Sequence, residues 1–178
     1  MELNSKAGSI AITPSKTLDW HAVYRDLLPK VFNYFTYRVG DAHLAEDLAA
    51  TTFERAWNKR NRYSSDLGAF EAWVFGIARR VAGEHFRKAK LELPLEAASG
   101  LAASGQVEDA AQARSDFARL GTLLAQLSDR DRELLSLKYG AGLNNRVIAS
   151  LTRLSESNVG TILNRLVNKL RDQWEKTP

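Results

Sequence analysis

The sequence predicts an all-α protein of two small helical domains joined by a flexible linker. Apolar residues recur at helical spacing over residues 18–90 (the N-terminal domain) and again over 115–178 (the C-terminal domain). The segment between them, 91–114, loses that spacing and contains proline, glycine, serine and many alanines, which is typical of a tether with some helix near its end. Residues 1–17 are expected to form a flexible tail. Each domain is of a size that can just bury its own hydrophobic core.

The N-terminal domain is predicted to contain three helices. Asp19 is a suitable N-cap for the first, and Pro29 within it predicts a kink or break because proline cannot donate a helix hydrogen bond. Asp41 is a suitable N-cap for the second, residues 61–68 form a loop, and the third runs from about 69 to 88. The predicted apolar faces are Val23, Leu27, Val31, Phe35 and Val39, then Leu44, Leu48, Thr52 and Trp57, then Phe70, Trp73, Val74, Ile77, Val81 and Phe86.

The C-terminal domain contains a predicted helix-turn-helix. It divides at residues 128–129 and 140–142, after which a short helix over 145–151 leads to a turn at 152–154. Ser155 then suits the N-cap of a second helix, because its hydroxyl can accept a free backbone N–H. The buried face of that helix is predicted to be Val159, Ile162 or Leu163, Leu166 and Leu170.

In a helix-turn-helix the N-terminal turns of the second helix enter the major groove of DNA. Polar side chains on the outer face of this helix are therefore candidates for contacts with bases and phosphates. An ordinary helical hairpin in a bundle is the alternative interpretation. The candidate DNA-binding residues are Ser155, Ser157, Asn158, Thr161, Asn164, Arg165 and Lys169.

Charge is divided along the chain. The net charge is +4, with +3 over residues 18–90, −4 over 91–113 and +4 over 114–178. Two basic blocks that flank an acidic spacer indicate a polyanionic partner. Solvated helix faces are the simpler alternative on charge alone.

Composition excludes several classes of function. The chain has no cysteine, which excludes disulfides, iron–sulfur clusters and thiolate zinc sites. The three histidines share no helix-spaced pair, so we expect neither a metal site nor a cofactor. Phosphate-binding loops and the common hydrolase motifs are also missing from the sequence, so no catalytic site is predicted and the protein is not expected to be an enzyme. Without an apolar span or a secretory signal, a cytoplasmic location and no membrane insertion are expected.

Two separate motifs resemble bacterial sigma factors of the extracytoplasmic-function (ECF) type. Residues 128–171 resemble region 4, whose opening L-(S/P)-x-R-x-R-E-(V/L)-L-x-L-x-Y matches Leu127 to Tyr139. Residues 41–57, DAHLAEDLAATTFERAW, resemble region 2.2, and residues 60–90 resemble regions 2.3 and 2.4. The region 2 matches are Gly40, Asp41, Ala45, Glu46, Asp47, Leu48, Phe53, Ala56, Trp57, Arg62, Tyr63, Phe70, Trp73, Ile77, Ala78, Arg79, His85, Arg87 and Lys88.

The resemblance implies a factor that binds core RNA polymerase and directs it to promoters for transcription initiation. Region 2 is expected to dock on the clamp helices of the largest subunit and to melt the −10 element, while region 4 contacts the flap region and reads the −35 element. An anti-sigma factor is an expected partner. Asp41, Glu46, Asp47, Phe53 and Trp57 are expected to bind polymerase. The residues expected at the −10 element are Arg60, Asn61, Arg62, Tyr63, Ser64, Trp73, Arg79, Arg80, His85, Arg87 and Lys88.

The sequence departs from the family pattern at several positions. Ala50 and Thr51 replace a glutamine and an acid of region 2.2, and Gly160 and Ile162 stand where the recognition helix often has cations. Arg153 replaces the turn glycine. These departures keep open a regulator that retains the fold without promoter recognition. A stand-alone helix-turn-helix regulator that uses only the C-terminal domain is the other alternative. The helical spacing of Trp73 suits a core residue as well as a DNA contact, so both interpretations stay open.

Overall fold

The computed structural model describes residues 19–92 and 108–176, and every regular element within these ranges is helical, as the sequence predicted. The predicted tail and most of the predicted linker lie outside the described residues. None of the described helices is both long enough and apolar enough to cross a lipid bilayer. The helices are α1 (Trp20–Val39), α2 (Ala42–Asn58), α3 (Phe70–Glu92), α4 (Glu108–Ala125), α5 (Asp129–Leu135), α6 (Asn145–Thr152) and α7 (Glu156–Lys176).

Side-chain caps begin both α1 and α2, and a glycine turns the chain between them. The Asp19 carboxylate accepts the backbone N–H groups of the first turn of α1, and Asp41 does the same for α2 by accepting from Leu44 at 2.7 Å. Between the two helices Gly40 adopts a left-handed conformation, with φ of 74°. Its N–H donates to the carbonyl of Thr36, which closes the last turn of α1. Both predicted N-caps are confirmed.

Helix α1 runs through Pro29 without interruption, so the prediction of a break there is wrong. Leu27 and Val31, on either side of the proline, are both buried, whereas Pro29 itself is exposed. A proline inside a helix costs about 3 kcal/mol relative to alanine. Burial of the apolar stripe on both sides of the ring offsets this cost, since most helical stability in proteins comes from tertiary packing.

Helices α2 and α3 pack beside α1 and are joined by one ion pair at the surface. Thr52 is fully buried in this packing, and its hydroxyl donates to the Leu48 carbonyl at 2.8 Å. Arg55 of α2 lies 2.7 Å from the carboxylate of Glu84 on α3. The hydrogen bond from Arg55 lowers the pKa of Glu84, and the same bond raises the pKa of Arg55.

The C-terminal domain contains the predicted helix-turn-helix in α6 and α7. Ser155 caps α7 by accepting the Asn158 N–H at 3.1 Å, and Arg153 makes the turn with φ of 59°. Leu163 is buried and Ile162 only partly so, which decides the buried face of α7. Helix α5 continues into a π turn, Ser136–Gly140, before the chain reaches α6.

The two domains are packed against each other. The buried side chains form one continuous cluster that includes Tyr34 and Phe35 of α1 as well as Leu134 and Leu137 of the C-terminal domain. We call the contact of α1 and α3 with α5, the π turn and α6 the domain interface. The sequence predicted two domains that could each bury a core, and the structure adds a shared core between them.

Replacing Pro29 with alanine tests how far packing compensates for the proline. Pro29→Ala restores one helix hydrogen bond and removes a steric clash, while the unfolded chain gains conformational freedom. We expect a net stabilisation of about 2 kcal/mol, measured by urea denaturation. Arg25→Ala, at an exposed position of the same helix, serves as the control and should change stability by less than about 0.5 kcal/mol. A less stable Pro29→Ala variant would contradict the explanation.

Candidate nucleic-acid interface

Three aromatic rings organise the loop between α2 and α3. This loop contains two short 3-10 turns, Arg60–Arg62 and Ser65–Leu67. The ring of Tyr63 packs edge-on against Phe70, with ring centroids 4.9 Å apart, and Trp73 is 5.6 Å away. Because the Tyr63 hydroxyl also donates to the Gly68 carbonyl at 3.1 Å, the loop has a defined conformation. Rows of packed rings next to cations are the usual platform for single-stranded nucleic acid.

The loop and α3 form one side of a groove of about 320 Å³. Arg62, Tyr63 and Trp73 line it, so Trp73 is at once packed against its neighbours and open to the groove. The opposite wall is Ser150 and Leu151, at the end of α6 in the C-terminal domain. This groove therefore joins the predicted −10 residues to the helix-turn-helix.

The other predicted −10 residues differ in their surroundings. The Arg60 guanidinium lies over the Trp57 ring, 4.1 Å from its centroid, and donates to the Trp57 carbonyl. His85 is partly buried, and its ring packs on Phe86 with centroids 5.4 Å apart. Ser64 is also partly buried. The remaining cations and the amide are exposed, namely Asn61, Arg62, Arg80, Arg87 and Lys88.

Arg79 does not lie on the open surface where the sequence placed it. Its guanidinium makes two hydrogen bonds with the carboxylate of Glu133 on α5, at 2.9 and 3.2 Å. It also donates to the carbonyl of Leu151 at the end of α6. Arg79 was predicted to contact DNA, but in this structure its guanidinium is hydrogen-bonded to the C-terminal domain.

The predicted polymerase-binding residues divide between surface and core. Glu46 and Asp47 are exposed, and the side chain of Trp57 is 48% exposed. Asp41 is partly buried as the cap of α2. Phe53 is only 7% exposed and belongs to the core, so its prediction as a surface anchor is wrong. Phe53 lies inward with Ala49 and Ala56, whereas Trp57, which the sequence analysis placed on the apolar face of α2, is half-exposed, so that placement is wrong.

Tyr24 is the surface aromatic that the sequence analysis missed. Its ring covers Phe53 at a centroid distance of 4.8 Å and is itself 48% exposed. With Leu28, Phe32 and Glu46 it lines an apolar groove of about 420 Å³ between α1 and α2. The sequence did contain a signal for this residue. Tyr24 directly follows Val23 of the predicted apolar face of α1, so it is an aromatic residue outside that face.

The recognition helix presents its predicted polar face to solvent. Side chains from Thr161 to Lys176 line a shallow concave surface of about 630 Å³ on α7. Arg165 is largely exposed and lies 3.9 Å from Asp131 of α5. Two candidates already make local hydrogen bonds, because Ser155 caps the helix and the Thr161 hydroxyl donates to the Ser157 carbonyl. The exposed candidates are Ser155, Ser157, Asn158, Thr161, Asn164, Arg165 and Lys169.

Gly160 lies where α6 crosses α7. A Cβ at this position would approach the side-chain amide of Asn145 on α6 to 3.4 Å. The Asn145 amide oxygen accepts from Lys138 at 2.9 Å, so it is held in place. This distance is an ordinary van der Waals contact, so the crossing of the two helices does not by itself require glycine at this position. Within residues 19–92 and 108–176, no group of three or more histidine, aspartate or glutamate side chains could hold a metal ion.

Comparison with known proteins agrees with this arrangement. Residues 23–92 match the family model of Sigma-70 region 2, and residues 117–170 match that of Sigma-70 region 4. The ECF RNA polymerase sigma factor SigM of Bacillus subtilis is 28% identical over 86% of this chain and 94% of its own length. The ECF sigma factor BldN of Streptomyces coelicolor is 27% identical, and the matched part covers 83% of this chain but only 57% of BldN.

Two solved structures share the fold. The sigma factor RpoE of Bartonella quintana, solved with the anti-sigma factor NepR, superposes with a TM-score of 0.67 at 20% identity over 91% of this chain and 100% of that one. CnrH, solved with the cytosolic domain of CnrY, has a TM-score of 0.61 at 20% identity over 89% and 87% of the two chains. Together the two region matches cover most of the chain in the order that the motifs predicted. The chain belongs to the ECF family of RNA polymerase sigma factors.

Proposed function

We propose that this sigma factor binds core RNA polymerase through the exposed face of α2 and directs it to promoters. In this proposal the loop groove holds the −10 strand and α7 reads the −35 element. One observation carries the proposal: the N-terminal domain presents an acidic, aromatic face on α2 and, elsewhere on its surface, supplies the cationic and aromatic wall of the loop groove. The protein then acts in the cytoplasm as a specificity subunit, without catalysis of its own.

The proposed polymerase surface combines acidic side chains with exposed aromatic rings that a partner could bury. Glu46 and Asp47 project from α2 into solvent, and the half-exposed rings of Tyr24 and Trp57 lie at the same domain surface. Acids at the rim of an interface steer a basic partner, while aromatic side chains provide most of the binding energy once buried. These features suit the clamp helices of the largest polymerase subunit. Contact of the C-terminal domain with the flap region is the second part of the proposal.

The proposed −10 surface is suited to an unpaired strand. Arg62 and the cations of α3 can follow phosphates, and the rings of Tyr63 and Trp73 offer faces on which bases can stack. Ser64 adds a hydroxyl at the edge of the groove. On α7, the exposed amides and Arg165 can reach base edges in the major groove, and Lys169 can reach a phosphate.

A stand-alone helix-turn-helix regulator is the weaker candidate. It uses only α6 and α7 and leaves the α2 face and the loop groove without a role. An anti-sigma factor is a further proposed partner. The RpoE of Bartonella quintana was solved with the anti-sigma factor NepR and CnrH with the cytosolic domain of CnrY, and both share this fold.

Removing the α2 face should abolish capture of core polymerase. The double variant Asp47→Arg with Trp57→Ala reverses one charge and deletes one exposed ring. We expect at least a tenfold loss of affinity, which corresponds to about 1.4 kcal/mol, in a pull-down with purified core enzyme. Glu175→Arg makes the same change of charge at an exposed position of α7 and should bind normally. Equal binding by the double variant and the control would contradict the assignment.

Removing the Tyr63 ring should impair promoter opening after polymerase has bound. Stacking of one base on an aromatic ring contributes about 1–3 kcal/mol, so Tyr63→Ala should reduce the population of open complex several-fold or more. Permanganate reactivity of unpaired thymines measures this population. Tyr63→Phe keeps the ring and loses only the hydrogen bond to Gly68, so it should remain close to wild type. An equal loss in both variants would show that the loop hydrogen bond, not stacking, is what matters.

Arg165 and Lys169 should differ in how they affect duplex binding. If Arg165 reads a base edge, Arg165→Ala costs about 1–3 kcal/mol on the cognate −35 sequence and little on altered ones. Lys169→Ala should weaken binding to all sequences. It should also reduce the slope of log affinity against log salt concentration by about one, because one phosphate contact is lost. Titrations of promoter duplexes with holoenzyme at several salt concentrations measure both. Identical behaviour of the two variants would exclude base reading by Arg165.

A further inference from the structure

Cations in the helix-turn-helix are carried by α6 and the turn, and the start of α7 has none. Residues 145–153 contain two arginines and no acid, whereas residues 156–164 contain one glutamate and no cation before Arg165. In a helix-turn-helix the second helix enters the major groove, while the first helix crosses the DNA backbone. The positive charge of this motif therefore lies on the part that crosses phosphates.

The two arginines belong to one exposed face of α6. Helical spacing places positions 146, 150 and 153 on the same side of the helix. Arg146, Ser150 and Arg153 are all exposed, whereas Ile148 is fully buried on the other side. Seven residues rise about 10 Å along a helix, and phosphates of one DNA strand follow each other every 3.4 Å or so along the duplex axis, about a third of that rise. The two guanidinium groups can thus reach separate phosphates of one strand.

Arg153 is held in a backbone conformation that glycine adopts without strain. Its φ of 59° and ψ of 30° lie in the left-handed region at the end of α6. In residues 19–92 and 108–176 it is the one residue other than glycine with a positive φ. No hydrogen bond or ion pair joins its side chain to another described residue. Strain that no contact within the described protein offsets indicates a role for this side chain in binding another molecule.

Arg146 is only weakly engaged by the protein itself. Its Nε lies 3.6 Å from a carboxylate oxygen of Glu156, and the two side chains are 86% and 56% exposed. An ion pair this open to solvent is screened and contributes little. A phosphate offers oxygens that accept two parallel N–H groups of a guanidinium, which makes a stronger bond. Arg146 can therefore exchange Glu156 for a phosphate.

We propose that Arg146 and Arg153 form a phosphate-binding pair that anchors the C-terminal domain on the backbone of the −35 duplex. The pair supplies the attraction to DNA that does not depend on sequence and that the start of α7 lacks. Base reading stays with the amides and Arg165 of α7. The position of the pair at the −35 element rests on the proposed function of α7, whereas its affinity for duplex phosphates does not.

The salt dependence of DNA binding tests the pair directly. The probe is a short fluorescein-labelled duplex of mixed sequence, titrated by anisotropy with the full-length chain at several salt concentrations. Arg146→Ala and Arg153→Gly should each reduce the slope of log affinity against log salt concentration by about 0.9, and the double variant by about twice that. At low salt the double variant should bind at least tenfold more weakly. Arg25→Ala, which removes an exposed arginine of α1, should leave the slope unchanged.

Stability measured in the same variants separates DNA contact from a role in the turn. Glycine relieves the strain at position 153, so Arg153→Gly should be at least as stable as wild type in urea while it binds DNA more weakly. A residue that merely held the turn would lose stability and binding together. Arg153→Lys keeps the positive charge and should keep a slope close to that of wild type.

Several results would overturn the inference. One is a slope in the double variant equal to that of Arg25→Ala. Another is reduced stability of Arg153→Gly, which would assign the arginine to the turn itself. Equal losses of slope in Arg153→Lys and Arg153→Gly would show that charge is not what binds. Weaker capture of core polymerase with unchanged DNA binding would mean that this face of α6 contacts a protein instead.

Lys169→Ala in the same titration keeps this inference distinct from the proposed function. A loss of slope in Lys169→Ala with none in the double variant would leave the role of α7 intact and remove the phosphate pair. The reverse result would support the phosphate pair and contradict the proposed contact of α7 with DNA.

Discussion

The contact between Gly140 and the backbone of α1 is the constraint on which the rest of the structure depends. It is a place where a π turn of one domain lies directly on a helix of the other, and only hydrogen at Cα leaves enough room. From this contact follow the burial of Tyr34, whose pKa is raised by that burial, and the continuity of the core across both domains. The close approach of α5 then places Glu133 beside Arg79.

Aromatic residues of the N-terminal domain have two roles, some in the core and others at the surface. Phe53 fills the core, whereas Tyr24 and Trp57 stay half-exposed at the surface. Trp20 connects the two surfaces, since its ring meets Trp57 at 5.3 Å and Phe70 at 5.6 Å, both edge-on. A row of packed rings therefore runs from the exposed face of α2 to the loop groove. Such packing holds both surfaces in a defined relative position and limits independent movement of the loop.

Departures from the family pattern have local physical reasons in the C-terminal domain. Arg153 adopts the left-handed conformation that glycine usually supplies, at a cost of roughly 1–2 kcal/mol. Gly160 lies beside Asn145 of α6, where a Cβ would make an ordinary contact at 3.4 Å, and as a glycine it weakens α7 by itself. Fewer cations on α7 reduce the attraction to phosphates that does not depend on sequence. In the proposed function, region 4 then reads a different −35 sequence or relies more on the rest of the polymerase complex.

The sequence by itself determined the helices, their caps and the family. Asp19, Asp41 and Ser155 cap helices through atoms within three residues of themselves, so local information was sufficient for the caps. Only the tertiary structure decided that Pro29 does not break α1, that Phe53 is buried behind Tyr24, and that Arg79 binds Glu133. The last pair is separated by 54 residues along the chain. Interactions over such distances depend on how whole helices pack, and no spacing rule within a single helix contains that information.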